Sequence, residues 1–288
     1  MSFTIYFLDP ANWSIIGLIV TILVFAGYLL FFKTNTSQKV FMLLALSLIY
    51  MALGSPIGSL TSFGLHSITM LKQIVLLMVA PIFLLRAFPS RAANEKRLGS
   101  LYNWLPGETM GIKNTNYFIA TWILMSAVMW GGHFLSAGKL SAQLGHAICG
   151  LSLQSNSWVT HVPNGLIFSI LLVVGIIGLL PVFHPMPEKR LKPVQAVAYL
   201  FTACLVCTVL GLYVAFSATS APNIEAVPVF DTVLSPLPMS LRTDQELAGM
   251  LMWVPGCIIY VISAVEILLS WYNAAPATSK KTTEHFTV

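Results

Sequence analysis

The chain has 288 residues, of which 57% are hydrophobic and 9% charged, with a mean hydropathy of +0.81 and a formal net charge of +5. Soluble domains carry about 25% charged residues, so a water-soluble fold is excluded, and the long uncharged blocks also exclude disorder, collagen and coiled coil. Alternating segments of about ten residues, the mark of an outer-membrane barrel, are missing as well, which leaves an all-α, polytopic membrane bundle.

A helix needs roughly 20 mostly apolar residues to cross a hydrocarbon core of about 30 Å. Seven stretches qualify, at 13–32, 40–60, 67–85, 117–137, 163–183, 194–218 and 247–272, giving a seven-span membrane domain over 1–272 and a tail over 273–288. No lysine or arginine precedes the first stretch; without the basic start of a secretory signal, and too long for a signal core, it is expected to remain in the protein. Short cytoplasmic connections retain positive charge. The first, third and fifth connections and the tail hold Lys33, Lys39, Arg86, Arg91, Lys96, Arg97, Lys113, Lys189, Arg190, Lys192, Lys280 and Lys281, against Lys139 and Arg242 on the other side. This bias predicts an amino terminus outside and a carboxyl terminus in the cytoplasm. The rival arrangement makes the second and third stretches a re-entrant pair turning at Gly54-Ser55-Pro56-Ile57-Gly58, which would reverse everything after it.

The basic connections are explained by orientation and contact with anionic membrane lipids, and no nucleic-acid partner is expected. On the outer side, 138–157 repeats apolar residues at Leu140, Leu144, Ile148 and Leu151, the period of a short helix lying at the membrane surface. The stretch 219–243 is rich in proline, with Pro222, Pro228, Pro236 and Pro238 beside Glu225 and Asp231, and is expected to be an irregular outer cap. Pro56, Pro81 and Pro255 predict kinks in spans two, three and seven, and kinked helices often line cavities. No internal repeat stands out.

Four of six histidines, His66, His133, His146 and His161, fall on the outer side, with His184 and His285 on the inner. His66, Met70 and Gln73 share one helix face by their spacing, and Met125, Met129 and His133 share another. Imidazole binds copper in either oxidation state and thioether favours cuprous ion, so such a constellation facing the oxidising side suits copper better than zinc or magnesium. Met250, Met252 and Cys149 are further candidates. The competing explanation is ordinary packing of methionine at helical spacing.

Lys72 is the single basic residue inside a span, where an unpaired ammonium costs roughly 2.5 to 3.5 kcal/mol. It calls for an acidic partner, of which Asp244 and Glu246 are on the right side and Glu266 too far along, or for snorkelling to the headgroups. Cys204 and Cys207 form a C-x-x-C pair among apolar neighbours and are expected to be packing residues rather than a redox or zinc motif. The four cysteines make no disulfide framework. Signatures of nucleotide hydrolysis, serine hydrolases and zinc proteases are absent, and span seven has no lysine for a retinal Schiff base.

The string Asp244-Gln245-Glu246-Leu247-Ala248-Gly249-Met250-Leu251-Met252-Trp253-Val254-Pro255-Gly256 resembles the last-helix signature of the CtaG-like assembly factors of haem-copper cytochrome c oxidase, a seven-span family associated with caa-type oxidases. Gly54-Ser55-Pro56 is similar to the end of that family's second span, Met70-Leu71 with Val79-Ala80-Pro81 to its third, and Ala198-Tyr199-Leu200-Phe201 through Leu210-Gly211 to its sixth. The family's third span typically reads H-M-x-x-H, and here Thr69, Met70 and Gln73 stand at those positions, so two imidazoles are replaced. His133-Phe134-Leu135 only loosely matches its W-H-x-P element, while Trp158, His161 and Pro163 correspond to a later histidine region.

The resemblance implies a non-enzymatic helper in the bacterial plasma membrane, with cytochrome c oxidase subunits as its clients, acting where copper enters the oxidase on the outer side. His66, Met70, His133, His161 and Met250 would then hold cuprous ion transiently, while Asp244 and Gln245 fix the outer end of span seven and Asp244 balances Lys72. Two readings from other classes remain open: an integral subunit or small-solute transporter with a polar cavity, and a b-type haem protein using His133 and His161.

Overall fold

A computed structural model describes residues 7–59, 66–89, 114–137, 157–217 and 241–274. Among these residues the chain is all-helical, with seven long helices. They are α1 (Ile15–Phe31), α2 (Thr36–Leu53), α3 (the continuous segments His66–Ile74, Val75–Val79 and Ala80–Ala87), α4 (Asn114–Ala137), α5 (Ser157–Phe183), α6 (Pro193–Ser217) and α7 (Leu241–Ala274). Thr36–Leu53, Ser67–Ala87, Pro193–Phe216 and Arg242–Asn273 are long and apolar enough to cross a membrane, and Ile15–Phe31 and Phe168–Phe183 are shorter apolar helices. The expected surface helix at 138–157, the outer cap between α6 and α7, and the tail beyond α7 lie outside the described residues.

Local chemistry sets most of the helix ends. Ser14 Oγ accepts from Gly17 N at 3.1 Å to cap α1. At the start of α2, Gln38 Oε1 accepts from Asn35 N at 3.0 Å, and its amide donates to Phe88 O at 3.0 Å, tying this end to the end of α3. The 40–60 stretch is not one continuous helix: α2 runs from Thr36 to Leu53 with Gly54 as its cap, and Pro56 opens a separate turn, Pro56–Ser59. Proline has no N–H to give a preceding turn but suits the first position of a new one, so Pro56 restarts the chain rather than kinking a span. At the other end of the bundle Pro193 opens α6 in the same way.

Pro81 acts differently. Its ring leaves Leu77 O without the usual donor, and the helix absorbs this with a π turn over Val75–Val79, where Ala80 N–H reaches back five residues to Val75 O. The Leu77 carbonyl faces Gly175 of α5, where a Cβ would lie 2.4 Å from Leu77 O and 2.7 Å from Pro81 Cγ. Only glycine permits backbones this close, and close backbones give the dispersion and Cα–H···O contacts that hold helices together in lipid.

The helices alternate in direction. Ser14 N donates to Gly54 O at 2.8 Å, joining the start of α1 to the end of α2, and Tyr28 OH donates to Ala87 O at 2.5 Å, joining the far end of α1 to the end of α3. Gln73 of α3 meets Met129 of α4, Arg86 lies against Phe183 of α5, Tyr199 of α6 bonds Gly178 of α5, and Gln245 of α7 reaches Val214 of α6. Hence α1, α3, α5 and α7 run one way and α2, α4 and α6 the other.

The bundle has an apolar core with some polar side chains enclosed, and an apolar exterior as well. Ser67, Lys72, Gln73, Thr121, His184 and Asp244 are buried, while Ile16, Leu23, Leu30, Phe201, Phe216 and Ile262 are more than half exposed. An apolar exterior of this extent is unstable in water and natural against acyl chains.

Candidate functional site

The start of α3 is held by α7. Asp244 is 1% exposed, and its Oδ1 accepts from Ser67 N at 3.2 Å and from Ser67 Oγ, so an acidic side chain 177 residues away caps the first turn of α3. Its carboxylate faces the positive end of the helix dipole. The next residue, Gln245, donates its amide to Val214 O of α6 at 3.4 Å. The Asp244-Gln245 pair therefore fastens the beginning of α7 to two neighbours at once. α7 itself begins at Leu241, earlier than 247, which places this pair inside the first turns of the helix rather than ahead of it.

Below the cap, α3 turns a set of residues inward. Met70 is 1% exposed, Lys72 3% and Gln73 5%. Gln73 Nε2 donates to Met129 O of α4 at 3.1 Å, which brings together the two faces that carry Met70 and Met129. Met125 and Met129 are buried on α4, and Met125 Sδ lies against Gly178 of α5, where a Cβ would come within 2.6 Å. Met252 is buried on α7, whereas Met250, two residues away and on the other side of that helix, is 55% exposed and does not join the group. His66, His133 and His161 are placed as main-chain positions in α3, α4 and α5; their side chains, together with His146 and Cys149, lie outside the described residues.

Lys72 does not snorkel: its side chain is buried within the bundle, and the ammonium lies 4.8 Å from the centroid of Phe168 on α5. A cation over an aromatic face gains up to about 2 kcal/mol when desolvated. Lys72 stands five residues further along α3 than Ser67, roughly 7.5 Å at 1.5 Å per residue, so the Lys72 and Asp244 charges belong to the same buried end of the helix.

The opposite end of the bundle has its own polar group. Arg86 of α3 forms an ion pair with Glu266 of α7, and its guanidinium lies 5.1 Å from the Phe183 ring and 5.8 Å from the Phe41 ring. Arg190, in the connection after α5, donates to His184 O at 2.7 Å. Burial first, and then the neighbouring Arg86, lower its basicity from the usual arginine value. Glu266 was expected to be too far from Lys72, and its partner is Arg86 instead.

Two features lie outside the sequence-derived groups. Tyr199 OH donates to Gly178 O at 2.6 Å and lies 3.4 Å from Thr121 Oγ1, linking α4, α5 and α6. Cys204 of α6 meets Cys257 of α7, Sγ to Sγ, at 2.9 Å. Neither pairing has a local spacing that would signal it.

Chemically, the described donors below the start of α3 and the end of α4 are thioethers, a set suited to a soft monovalent ion and poor for hard cations. Gln73, at a position where the resemblance implied histidine, spends its amide on a helix tie. Among the described residues no three His, Cys, Asp or Glu side chains converge as metal ligands.

No curated protein and no solved structure matches the chain. The family model described as cytochrome c oxidase caa3 assembly factor matches residues 33–274, a span from the start of α2's approach to the end of α7. With most of its length covered by that match, the chain belongs to the Caa3_CtaG family of cytochrome c oxidase caa3 assembly factors.

Proposed function

We propose that this chain is a non-enzymatic assembly factor that handles cuprous ion, as cargo, for a haem-copper oxidase on the outer side of the bacterial plasma membrane. In this reading all seven helices cross the bilayer, with the amino terminus outside, and the Asp244 end of the bundle is the outer end. The observation that carries it is the Gln73 to Met129 hydrogen bond, because it joins α3 and α4 where Met70 and Met129 stand one turn from the main-chain positions of His66 and His133. A transfer site has to be open and weak, so a thioether-rich set lacking the two replaced imidazoles is compatible with passing an ion on.

Copper content after cuprous loading of the purified protein tests this. Met70→Leu and His133→Ala are expected to lower the bound copper, and Met250→Leu, on the exposed face, to leave it unchanged. Equal copper in Met70→Leu, His133→Ala and the unaltered protein overturns the site. Accessibility labelling of cysteines introduced at Lys139 or Arg242 tests the orientation: labelling from the cytosolic side alone overturns it. The reduced-minus-oxidised spectrum separates the cargo from haem, since a sharp alpha band would replace this reading with a b-type haem protein.

A further inference from the structure

The two cysteines of the C-x-x-C pair have different surroundings. Cys207 is fully buried, and its Sγ donates to Met252 O at 3.1 Å beside Gly256. Cys204, one turn earlier, is half-buried and donates to Cys257 Sγ at 2.9 Å. Thr208 gives its own proton to Cys204 O at 2.9 Å, which leaves its oxygen to accept from Cys257, 3.2 Å away. The three side chains form a directed series in which the Cys204 thiol points at the Cys257 sulfur and the Cys257 thiol points at Thr208.

The helices that carry them are packed at backbone distance. A Cβ on Gly249 would lie 2.5 Å from Gly211 O, and one on Gly256 would lie 2.8 Å from Cys207 Sγ. Two sulfurs around one metal ion stand roughly 4 Å apart, given M–S bonds of about 2.3 Å; a disulfide needs about 2.05 Å. At 2.9 Å the pair is closer to bonding than to ligation.

Location decides what can oxidise it. Cys204 is near the middle of α6 and Cys257 near the middle of α7, and the residues around them, Leu205, Val254, Ile258 and Val261, point outward with 43% to 56% exposure. An oxidant arriving there has to dissolve in the hydrocarbon. We propose that Cys204 and Cys257 are a redox-active dithiol, oxidised to an inter-helix disulfide by a lipid-soluble two-electron acceptor of the quinone class. Two S–H bonds break and one S–S bond forms; the two electrons and two protons pass to the quinone, which leaves as quinol. The product is uncharged, as a site in hydrocarbon requires, and it locks α6 to α7. The inference is independent of copper handling.

The test uses the full chain with Cys149→Ser, reduced and reconstituted in lipid vesicles. One sample is exposed to a decyl-substituted benzoquinone and another to ferricyanide, which stays in water; both are then alkylated with maleimide and mapped by mass spectrometry. The expected result is a Cys204–Cys257 linked peptide in the quinone sample, with Cys207 still a thiol, no link with ferricyanide, and a higher melting temperature for the oxidised protein that is lost in Cys204→Ser and in Cys257→Ser. Two alkylated thiols at 204 and 257 after quinone exposure, a link through Cys207, or equal oxidation by ferricyanide would each overturn it.

Discussion

Asp244 and Glu266 stand near the two ends of α7, and the fold treats these carboxylates in opposite ways. Asp244 is withdrawn from the surroundings and is met by the hydroxyl and amide of Ser67 at a helix start. Glu266 meets a full opposite charge, Arg86, yet its side chain is 50% exposed and that of Arg86 24%. The comparison teaches that the buried contact is the stronger tie: its loss strands polar groups where no water reaches them, whereas an exposed pair can fall back on water or headgroups.

Both contacts hold α7 to α3, and α7 is packed at backbone distance against α6 through Gly211 and Gly249, where the largest effect is expected. Gly249→Leu forces a side chain into Gly211 O and Ala215 and should cost about 3 kcal/mol or more, seen as a lowered unfolding midpoint in mild detergent titrated with a denaturing one. Asp244→Ala comes next, at about 2 to 3 kcal/mol, with Asp244→Asn recovering part of that because it still accepts from Ser67. Parity between Asp244→Ala and Asp244→Asn would show that the carboxylate acts only through its charge. Tyr199→Phe, which removes the donor to Gly178 O, should cost about 1 kcal/mol in the same titration. Glu266→Gln should cost about 0.5 kcal/mol and lose even that at high salt; an effect larger than that of Asp244→Ala would reverse the comparison. Leu23→Ala, on the outward face of α1, is expected to stay within about 0.5 kcal/mol, because apolar contact with lipid is nearly the same in the folded and separated helices.

Much of this was legible in the residues. The long uncharged blocks announced the helices, since every block had to satisfy its own backbone hydrogen bonds, and the spacing of Met70 with Gln73 and of Met125 with Met129 gave the inward faces. Boundaries were less legible. Pro56 and Pro81 carry the same covalent constraint, yet one starts a new turn and the other is absorbed in a π segment, because Gly175 lets α5 press against the freed carbonyl at the second site and Gly54 has already ended the helix at the first. The exposure of Met250 follows from how α7 is rotated against α6, which the composition of α7 leaves open.

Helix content, apolar character and the face on which a side chain lies come from short-range periodicity, a property each segment carries alone. Which faces meet is another matter. Ser67 with Asp244, Arg86 with Glu266, and Cys204 with Cys257 are separated by 177, 180 and 53 residues. No local pattern links such partners. They meet only once the helices pack, with glycines at 175 and 178 letting α5 approach α3 and α4 and those at 211 and 249 joining α6 to α7, so the chemistry at each contact was decided by packing in three dimensions.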